Sequence, residues 1–291
     1  MTDNFFVMDI NAQTKLCGLL GNPVDHSLSP AIHNAAFQKL GLNFVYLAFR
    51  VENLAGAIQG IRSLGNLRGF SVTIPHKVAV IPFLDEVETT AKHIGSVNTI
   101  VVEDGKLTGY NTDASGALRA LQSAGVSLKG KRVLMLGSGG AARAIAFALA
   151  MDKAIAGLTI LGVDEKERRG LVTDLKARTS IHVEEGPLSE DWLGRTIKDN
   201  HILLHCTPIG MHPKVEESCV PASLLRPHLT VMDIVYNPLE TKLLREAKQA
   251  GCLTIRGLEM FLNQAIGQFE LWTGQAAPAD VMRQVLESRF S

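Results

Sequence analysis

A chain of 291 residues, 46% hydrophobic and 20% charged, has the length for two ordinary domains and is too apolar to be intrinsically disordered. Its 29 Lys and Arg balance its 29 Asp and Glu, so no basic field gathers nucleic acid, and Arg143 interrupts the longest apolar stretch, Val133 to Met151, before it reaches the roughly 20 residues of a membrane helix. Cys17, Cys206, Cys219 and Cys252 show no CxxC spacing, which leaves no disulfide framework or metal site and points to reduced, buried thiols in a cytoplasmic protein without nucleic-acid or membrane partners.

Acids at Asp3 and Asp9 make the N-terminus a short tail rather than a signal peptide. Lys15 to Leu20 then reads as a buried strand ending at Gly21, and Ser29-Pro30 opens a helix that Gly41 closes, with Ser29 as a favoured N-cap residue and Pro30 at the first helical position. A strand at Asn43–Arg50, a helix at Leu54–Leu64 and a strand at Gly69–Ile74 follow, an alternation that implies a mainly parallel sheet. A helix is expected after Lys77, and Val97–Val102 with Lys106–Asn111 forms a hairpin turning at Glu103, Asp104 and Gly105. After a helix at Ala114–Ser123, a second α/β series begins near Lys131. It comprises strand Arg132–Leu136, helix Gly140–Met151, strand Leu158–Val163, helix Leu171–Arg178, and strands at His201–Cys206, Thr230–Val235 and Cys252–Arg256. The remainder, Gly257 to Phe290, is helical with a break at Gly274–Pro278.

Gly137-Ser138-Gly139-Gly140-Ala141-Ala142 follows a strand and opens a helix, which is the setting of a G-x-G-x-x-A dinucleotide fingerprint. Gly137 allows the tight turn, Gly139 lets the backbone approach a diphosphate, and Ala142 lets helix and strand pack closely. No Gly-Lys-Ser/Thr follows, which excludes a Walker loop. Mononucleotide binding and a ligand-free Gly-rich connection are the alternatives.

Further polar clusters occur in order: Ser27-Leu28-Ser29-Pro30, Ser71-Val72-Thr73-Ile74-Pro75-His76-Lys77, Val97-Asn98-Thr99, Asn111-Thr112-Asp113, Thr207-Pro208-Ile209-Gly210-Met211, Asp233 to Pro238 and Gln264-Ala265. From about Lys15 to about Leu286, this series closely resembles the shikimate dehydrogenase family, including shikimate/quinate relatives. The resemblance implies two α/β domains separated by a cleft. Residues 1–113 with 258–291 would form the substrate-binding catalytic domain, and residues 114–257 a Rossmann-like dinucleotide domain. It implies NAD(P)-dependent reduction of 3-dehydroshikimate to shikimate in aromatic amino acid (chorismate) biosynthesis by a monomer or homodimer. Quinate or dual specificity is the alternative enzyme, and a non-catalytic dinucleotide-binding regulator the alternative of another class.

The resemblance assigns Lys77 and Asp113 as the catalytic pair. Ser27 and Ser29 would bind the substrate carboxylate, Thr73 and Tyr236 add hydroxyls, and Asn98 and Gln264 read the ring hydroxyls. Gly137, Ser138, Gly139, Gly140, Ala141, Asp164, Thr207, Gly210, Met211, Val235 and Gly257 would bind the dinucleotide, Met211 against the nicotinamide. Each has a plainer reading: Lys77 as a surface lysine, Asp113 and Ser29 as helix caps, Thr73 as a buried strand residue, Gln264 as a helix-interface residue. His76 and His205 are read as structural, the latter standing where relatives usually carry Asn.

The stretch Gly162 to Glu167 departs from the family. Relatives that use NADP commonly hold its 2′-phosphate with an Arg in an Asn-Arg-Thr sequence and a second basic residue three positions later. Here Val163 and Glu167 occupy those positions, while Asp164 is placed to accept the ribose 2′-hydroxyl of NAD. The sequence therefore leans to NAD against the family's usual NADP, with Lys166, Arg168 and Arg169 as cations that could restore phosphate binding.

Overall fold

The computed structural model describes residues 10–151 and 155–290, so the expected N-terminal tail falls outside it. The elements are β1 (Lys15–Gly21), α1 (Ser29–Lys39), β2 (Phe44–Arg50), α2 (Leu54–Arg62), β3 (Leu67–Val72), α3 (His76–Ala79), β4 (Glu86–Val87), α4 (Thr89–Ile94), β5 (Thr99–Glu103), β6 (Lys106–Tyr110) and α5 (Thr112–Ser123). They continue with β7 (Arg132–Leu136), α6 (Gly140–Met151), β8 (Gly157–Gly162), α7 (Glu165–Arg178), β9 (Val183–Pro187), α8 (Glu190–Thr196), β10 (Ile202–His205), β11 (Thr230–Asp233), α9 (Lys242–Gln249), β12 (Leu253–Ile255), α10 (Gly257–Thr273) and α11 (Ala279–Ser288). The chain divides into two units, Met1–Thr112 with Ala265–Ser291, and Asp113–Gln264. The first crossing falls beside Asp113, and the return falls inside α10, a continuous helix of 17 residues.

In the first unit the strand order is β2-β1-β3-β5-β6-β4. β2, β1 and β3 are parallel, whereas β5 runs antiparallel to both β3 and β6. The hairpin turns at Asp104 and Gly105, both at positive φ (50° and 78°), the twist a two-residue connection needs. Alternation along β3 separates two layers. Phe70 and Val72 join a core with Ile58, Ile61, Ile100 and Leu107, while Gly69 and Ser71 face α10, where Trp272 Nε1 donates to Ile100 O at 3.0 Å. A Cβ on Gly69 would stand 2.1 Å from Trp272 Nε1, so glycine is what admits the indole.

The second unit has the order β12-β11-β10-β7-β8-β9, with every pairing parallel. Counted from β7, this is the 3-2-1-4-5-6 order of a dinucleotide-binding sheet, with its switch point between β7 and β10. Leu134, Leu136, Leu203, Val231 and Leu244 lie in one buried core, and α6 buries Ala142, Ile145, Phe147 and Leu149 completely.

The first unit's sheet is mainly parallel, as expected, with β5 as its antiparallel strand. Several elements differ from the sequence reading. β3 ends at Val72, so Thr73 lies half-buried in the turn beyond it rather than inside a strand, and Lys77 sits within the one-turn helix α3. Leu28 occupies the N-cap position of α1, which puts Ser29 and Pro30 inside the helix and releases the Ser29 hydroxyl from capping. α5 begins at Thr112, so Asp113 is a first-turn acid rather than the cap, complementing the helix dipole. α7 begins at Glu165 because the Asp164 carboxylate accepts from Glu167 N–H at 2.8 Å. The four thiols are unpaired, but only Cys17 and Cys252 are buried; Cys206 and Cys219 lie half-exposed in loops beyond β10.

His33, fully buried, stacks on Tyr46 at a centroid distance of 4.7 Å, and neither ring nitrogen has a hydrogen-bond partner. Burial pushes its pKa down to about 3, with the Gln268 side chain opposing. A proton bound in the unfolded chain but refused by the fold makes stability fall as pH drops below about 6.5, at about 1.4 kcal/mol per pH unit. Urea unfolding is therefore expected to lose about 2 kcal/mol from this residue between pH 7 and pH 5, and His33→Phe should flatten that slope; an unchanged slope would refute the assignment.

Candidate active site

The antiparallel turn of β5 brings four chain segments to one edge of the first sheet. The ends of β1 and β3 point to this edge, and so do the start of β5 and the end of β6, because Ser71 pairs with Thr99 and Thr99 with Tyr110. Past β1, Ser27 Oγ accepts from Ser29 N–H at 3.2 Å, and Ser29 is buried beside the Tyr46 phenol. Past β3, Thr73 N–H donates to Leu20 O at 2.9 Å, fixing Thr73 next to the end of β1. Lys77, half-buried one turn on, is tied in by Val97 N–H to its carbonyl at 2.8 Å.

Asn98 joins this edge to the start of α5. Its Oδ1 accepts from Thr112 N–H at 2.7 Å and from the Thr99 hydroxyl at 2.8 Å, and its Nδ2 donates to Thr112 Oγ1 at 3.0 Å. The next residue along α5 is Asp113, 6% exposed. Behind Asn98 runs a buried relay in which Tyr46 donates to Ser71 (2.7 Å), Ser71 to Gln268 Oε1 (2.9 Å) and Gln268 Nε2 to Thr99 Oγ1 (3.1 Å). Sequence reasoning did not single out Tyr46 or Gln268. Their polar groups on otherwise apolar faces of β2 and α10 were the available signal.

Gln264 and Tyr236 belong to the second unit. Gln264 is 8% exposed, and its Nε2 donates to Phe261 O at 3.0 Å. A Cβ on Gly116 would meet Gln264 N at 2.9 Å, so Gln264 packs against α5 three residues beyond Asp113, on the same helical face. Tyr236 leans on Phe261 at 4.7 Å between centroids, and burial raises its phenol pKa.

The phosphate loop lies at the switch point of the second sheet. Gly137 follows β7 with φ +108°, and a Cβ there would stand 2.6 Å from Cys206 O. Ser138 Oγ donates to Glu167 Oε2 at 3.0 Å, Gly140 and Ala141 form the first turn of α6, and a Cβ on Gly139 would meet only Glu167 Oε1, at 3.9 Å. Backbone space thus remains over the positive end of α6, where an anion is favoured. Across from it, the loop after β10 carries Thr207, Gly210 with φ +84°, and Met211, which is 46% exposed. Val235 N–H donates to Asp233 Oδ1 at 2.9 Å. Gly257 starts α10 where a Cβ would come within 2.5 Å of the carbonyls of Ile234 and Val235.

Asp164 is engaged as the cap of α7, and the carboxylate that reaches the phosphate loop belongs to Glu167. Val163 is 84% exposed. Arg168 turns inward, bonding Glu185 and Gly162 O, and Arg169 pairs with Glu165 and Glu185. Beyond β8 and β9, Val163, Leu188, Leu193 and Ile209 line a cavity of about 580 Å³. The sequence reading passed over β9, which leads into Leu188, because Val183–Pro187, with two glutamates, a glycine and a proline, carries little strand signal. Histidine roles are clear: His76 Nε2 bonds Val51 O at 2.9 Å, and His205 bonds Asp233.

Two α/β units, one a parallel dinucleotide-binding sheet with its glycine loop at the switch point, define a nucleotide-dependent oxidoreductase fold with a separate polar site on the other sheet. Family models match residues 19–100, as the shikimate dehydrogenase substrate binding domain, and residues 257–287, as the shikimate 5′-dehydrogenase C-terminal domain. The chain is 45% identical over 286 residues to the shikimate dehydrogenase (NADP(+)) of Desulforamulus reducens, covering 97% of this chain and 98% of that one. It is 47% identical to that of Moorella thermoacetica, covering 96% and 95%. The crystal structure of shikimate 5-dehydrogenase from Listeria monocytogenes in complex with shikimate and NAD superposes with a TM-score of 0.90 at 38% identity, covering 97% of this chain and 100% of that one. The protein belongs to the shikimate dehydrogenase family.

The two fingerprint glycines serve different ends, which substitution separates. Gly137→Ala combines positive φ with a backbone clash and is expected to cost about 3 kcal/mol or more in urea unfolding. Gly139→Ala, facing open space, should cost about 1 kcal/mol or less; equal losses would contradict the geometry.

Proposed function

We propose that this chain catalyses the reversible NAD(P)-dependent reduction of 3-dehydroshikimate to shikimate, a step of aromatic amino acid (chorismate) biosynthesis. The observation that carries this reading is the gathering of Ser27, Ser29, Thr73, Lys77 and Asn98 on one sheet edge, with Asp113 next in chain to the Asn98-bound Thr112. The serine hydroxyls at the start of α1 hold the substrate carboxylate, Thr73 and Tyr236 add hydroxyls, and Asn98 and Gln264 discriminate the ring hydroxyls. When bound, the nicotinamide dinucleotide supplies the hydride. Lys77 holds the proton at the reacting oxygen and delivers it as negative charge develops there, and Asp113 orients the ammonium. The phosphate loop and the N-terminus of α6 suit the diphosphate, and the cavity beyond β8 and β9, where Val163, Leu188 and Ile209 stand beside Ser189, Glu190 and Lys242, suits the adenine. Four unpaired thiols fit a reducing compartment, and we place the enzyme in the cytoplasm. No helix among the described residues is long and apolar enough to cross a membrane.

Lys77→Met and Asp113→Asn are each expected to lower kcat by about 10²–10⁴ with dinucleotide affinity nearly intact. If the pair acts as a unit, the double variant falls little further. Near wild-type kcat in Lys77→Met would sink the assignment, and faster turnover of quinate than of shikimate would replace the substrate.

The same geometry supports NAD over NADP. Val163 and Glu167 stand in the basic positions, Arg168 and Arg169 are engaged by carboxylates, and Asp164 and Glu167 place negative charge where a 2′-phosphate would lie. Glu167 takes the ribose-facing role that the sequence assigned to Asp164. In kcat/KM comparisons NAD should exceed NADP, and Glu167→Gln should narrow the preference more than Asp164→Ala, which mainly loses a helix cap. A roughly tenfold advantage for NADP, about 1.4 kcal/mol, would defeat this reading.

A further inference from the structure

The loop after β10 rests on a buried chain of hydrogen bonds that the proposed reaction leaves unused. Asp233 is fully buried, and its carboxylate accepts from Val235 N–H (2.9 Å) and the Thr241 hydroxyl (2.6 Å), both neutral donors, while Oδ1 lies 2.8 Å from His205 Nδ1. An enclosed carboxyl group calls for donors on every side, and the imidazole is the one cationic donor in place. Burial of the ring opposes protonation, but hydrogen bonding to Asp233 and to Cys219, with the Asp233 charge, outweighs it and pushes the His205 pKa up to about 10. Both ring nitrogens therefore donate.

On the other side of the ring, Nε2 lies 2.5 Å from Thr207 Oγ1, which also accepts from Ile209 N–H at 3.2 Å. A hydroxyl has two acceptor sites and one proton. With both acceptor sites filled by these N–H groups, the Thr207 proton points out of the network. A neutral His205 with its proton on Nδ1 would do the opposite, drawing the Thr207 proton inward to Nε2. Thr207 is half-exposed, and its methyl lies against the turn of the phosphate loop, where a Cβ on Gly137 would stand 3.2 Å from Thr207 Cγ2. The outward proton therefore leaves the network from a side chain that packs beside the first glycine of the fingerprint.

We propose that His205 is a positioning residue that holds the Thr207 hydroxyl as a donor to an acceptor oxygen of the bound dinucleotide. The inference rests on the dinucleotide-binding reading above. It gives the histidine a task that the asparagine usual in this family would not share. Asparagine keeps a donor for Asp233 but lacks the second ring nitrogen that reaches Thr207.

Calorimetric dissociation constants for NAD and NADP, measured without substrate on the full chain, test it. His205→Asn and Thr207→Val are each expected to weaken the preferred dinucleotide roughly tenfold, and Thr207→Ser, which keeps the hydroxyl, to stay within about threefold of wild type. The double variant H205N/T207V should bind no more weakly than T207V alone, because both changes remove one contact. Additive losses, or wild-type affinity in H205N, would overturn the proposal. Should H205N fail to fold, the threonine pair decides, and wild-type affinity in T207V overturns it. A wild-type chain that binds neither dinucleotide overturns the functional reading itself, a result distinct from a wild type that binds and variants that match it.

Discussion

The Asn98 carboxamide is the interaction on which the proposed substrate site depends. At 2% exposure it joins the start of β5 to the turn that launches α5, binding both the backbone N–H and the hydroxyl of Thr112. In so buried a place each bond is electrostatically stronger than in water, and each orphaned partner costs about 1–3 kcal/mol. The relay from Tyr46 through Ser71, Gln268 and Thr99 ends on its Oδ1. The residue proposed to read substrate hydroxyls is thus held by the same atoms that shape the backbone around it. That coupling fixes the direction of the amide before any ligand arrives, which is what preorganisation requires.

A comparable economy governs the second unit, where charge rather than shape is distributed. The chain is neutral overall, yet the phosphate loop needs positive potential, and the N-terminus of α6 provides it from backbone dipoles without a lysine. Two of the three cations near the end of β8 are spent locally: Arg168 bonds Glu185 and Gly162 O, and Arg169 bonds Glu165 and Glu185, while Lys166 is exposed. The Asp164 carboxylate caps α7, and that of Glu167 accepts from Ser138 in the glycine loop. Further along the same edge, the Asp233–His205 pair forms a buried balance of one negative and one positive group, anchored through Thr241 to the N-cap of α9. The cofactor preference proposed above rests on how these charges are partnered.

Much of this was legible in the sequence because it is written locally. Strand periods, the glycine spacing at Gly137 to Ala142, and the Asp104-Gly105 turn each report a backbone requirement confined to a few residues. Motifs such as VTIPHK and NTD located the catalytic candidates through family resemblance. Short or polar elements were less readable: α8 and β9 carry weak patterns, and β9 pairs along the edge that β8 supplies, whereas α9 was passed over despite a clear amphipathic pattern that buries Leu243, Leu244 and Ala247 behind the Thr241 cap.

What the sequence determined alone was therefore the fold class, through its strand and helix patterns, and, through resemblance of its motifs, the family and the candidate polar residues. Tertiary structure decided partnership. Whether Ser29 caps a helix or offers its hydroxyl, whether Asp164 or Glu167 reaches the phosphate loop, and whether His205 is neutral or charged all depend on residues many positions away. Asp233, 28 residues beyond His205, sets the charge of that ring, and Glu185, 17 residues beyond Arg168, removes that cation from the site. Hydrogen bonds and electrostatics act through space over a few ångströms, so their outcome is fixed only once the chain has folded.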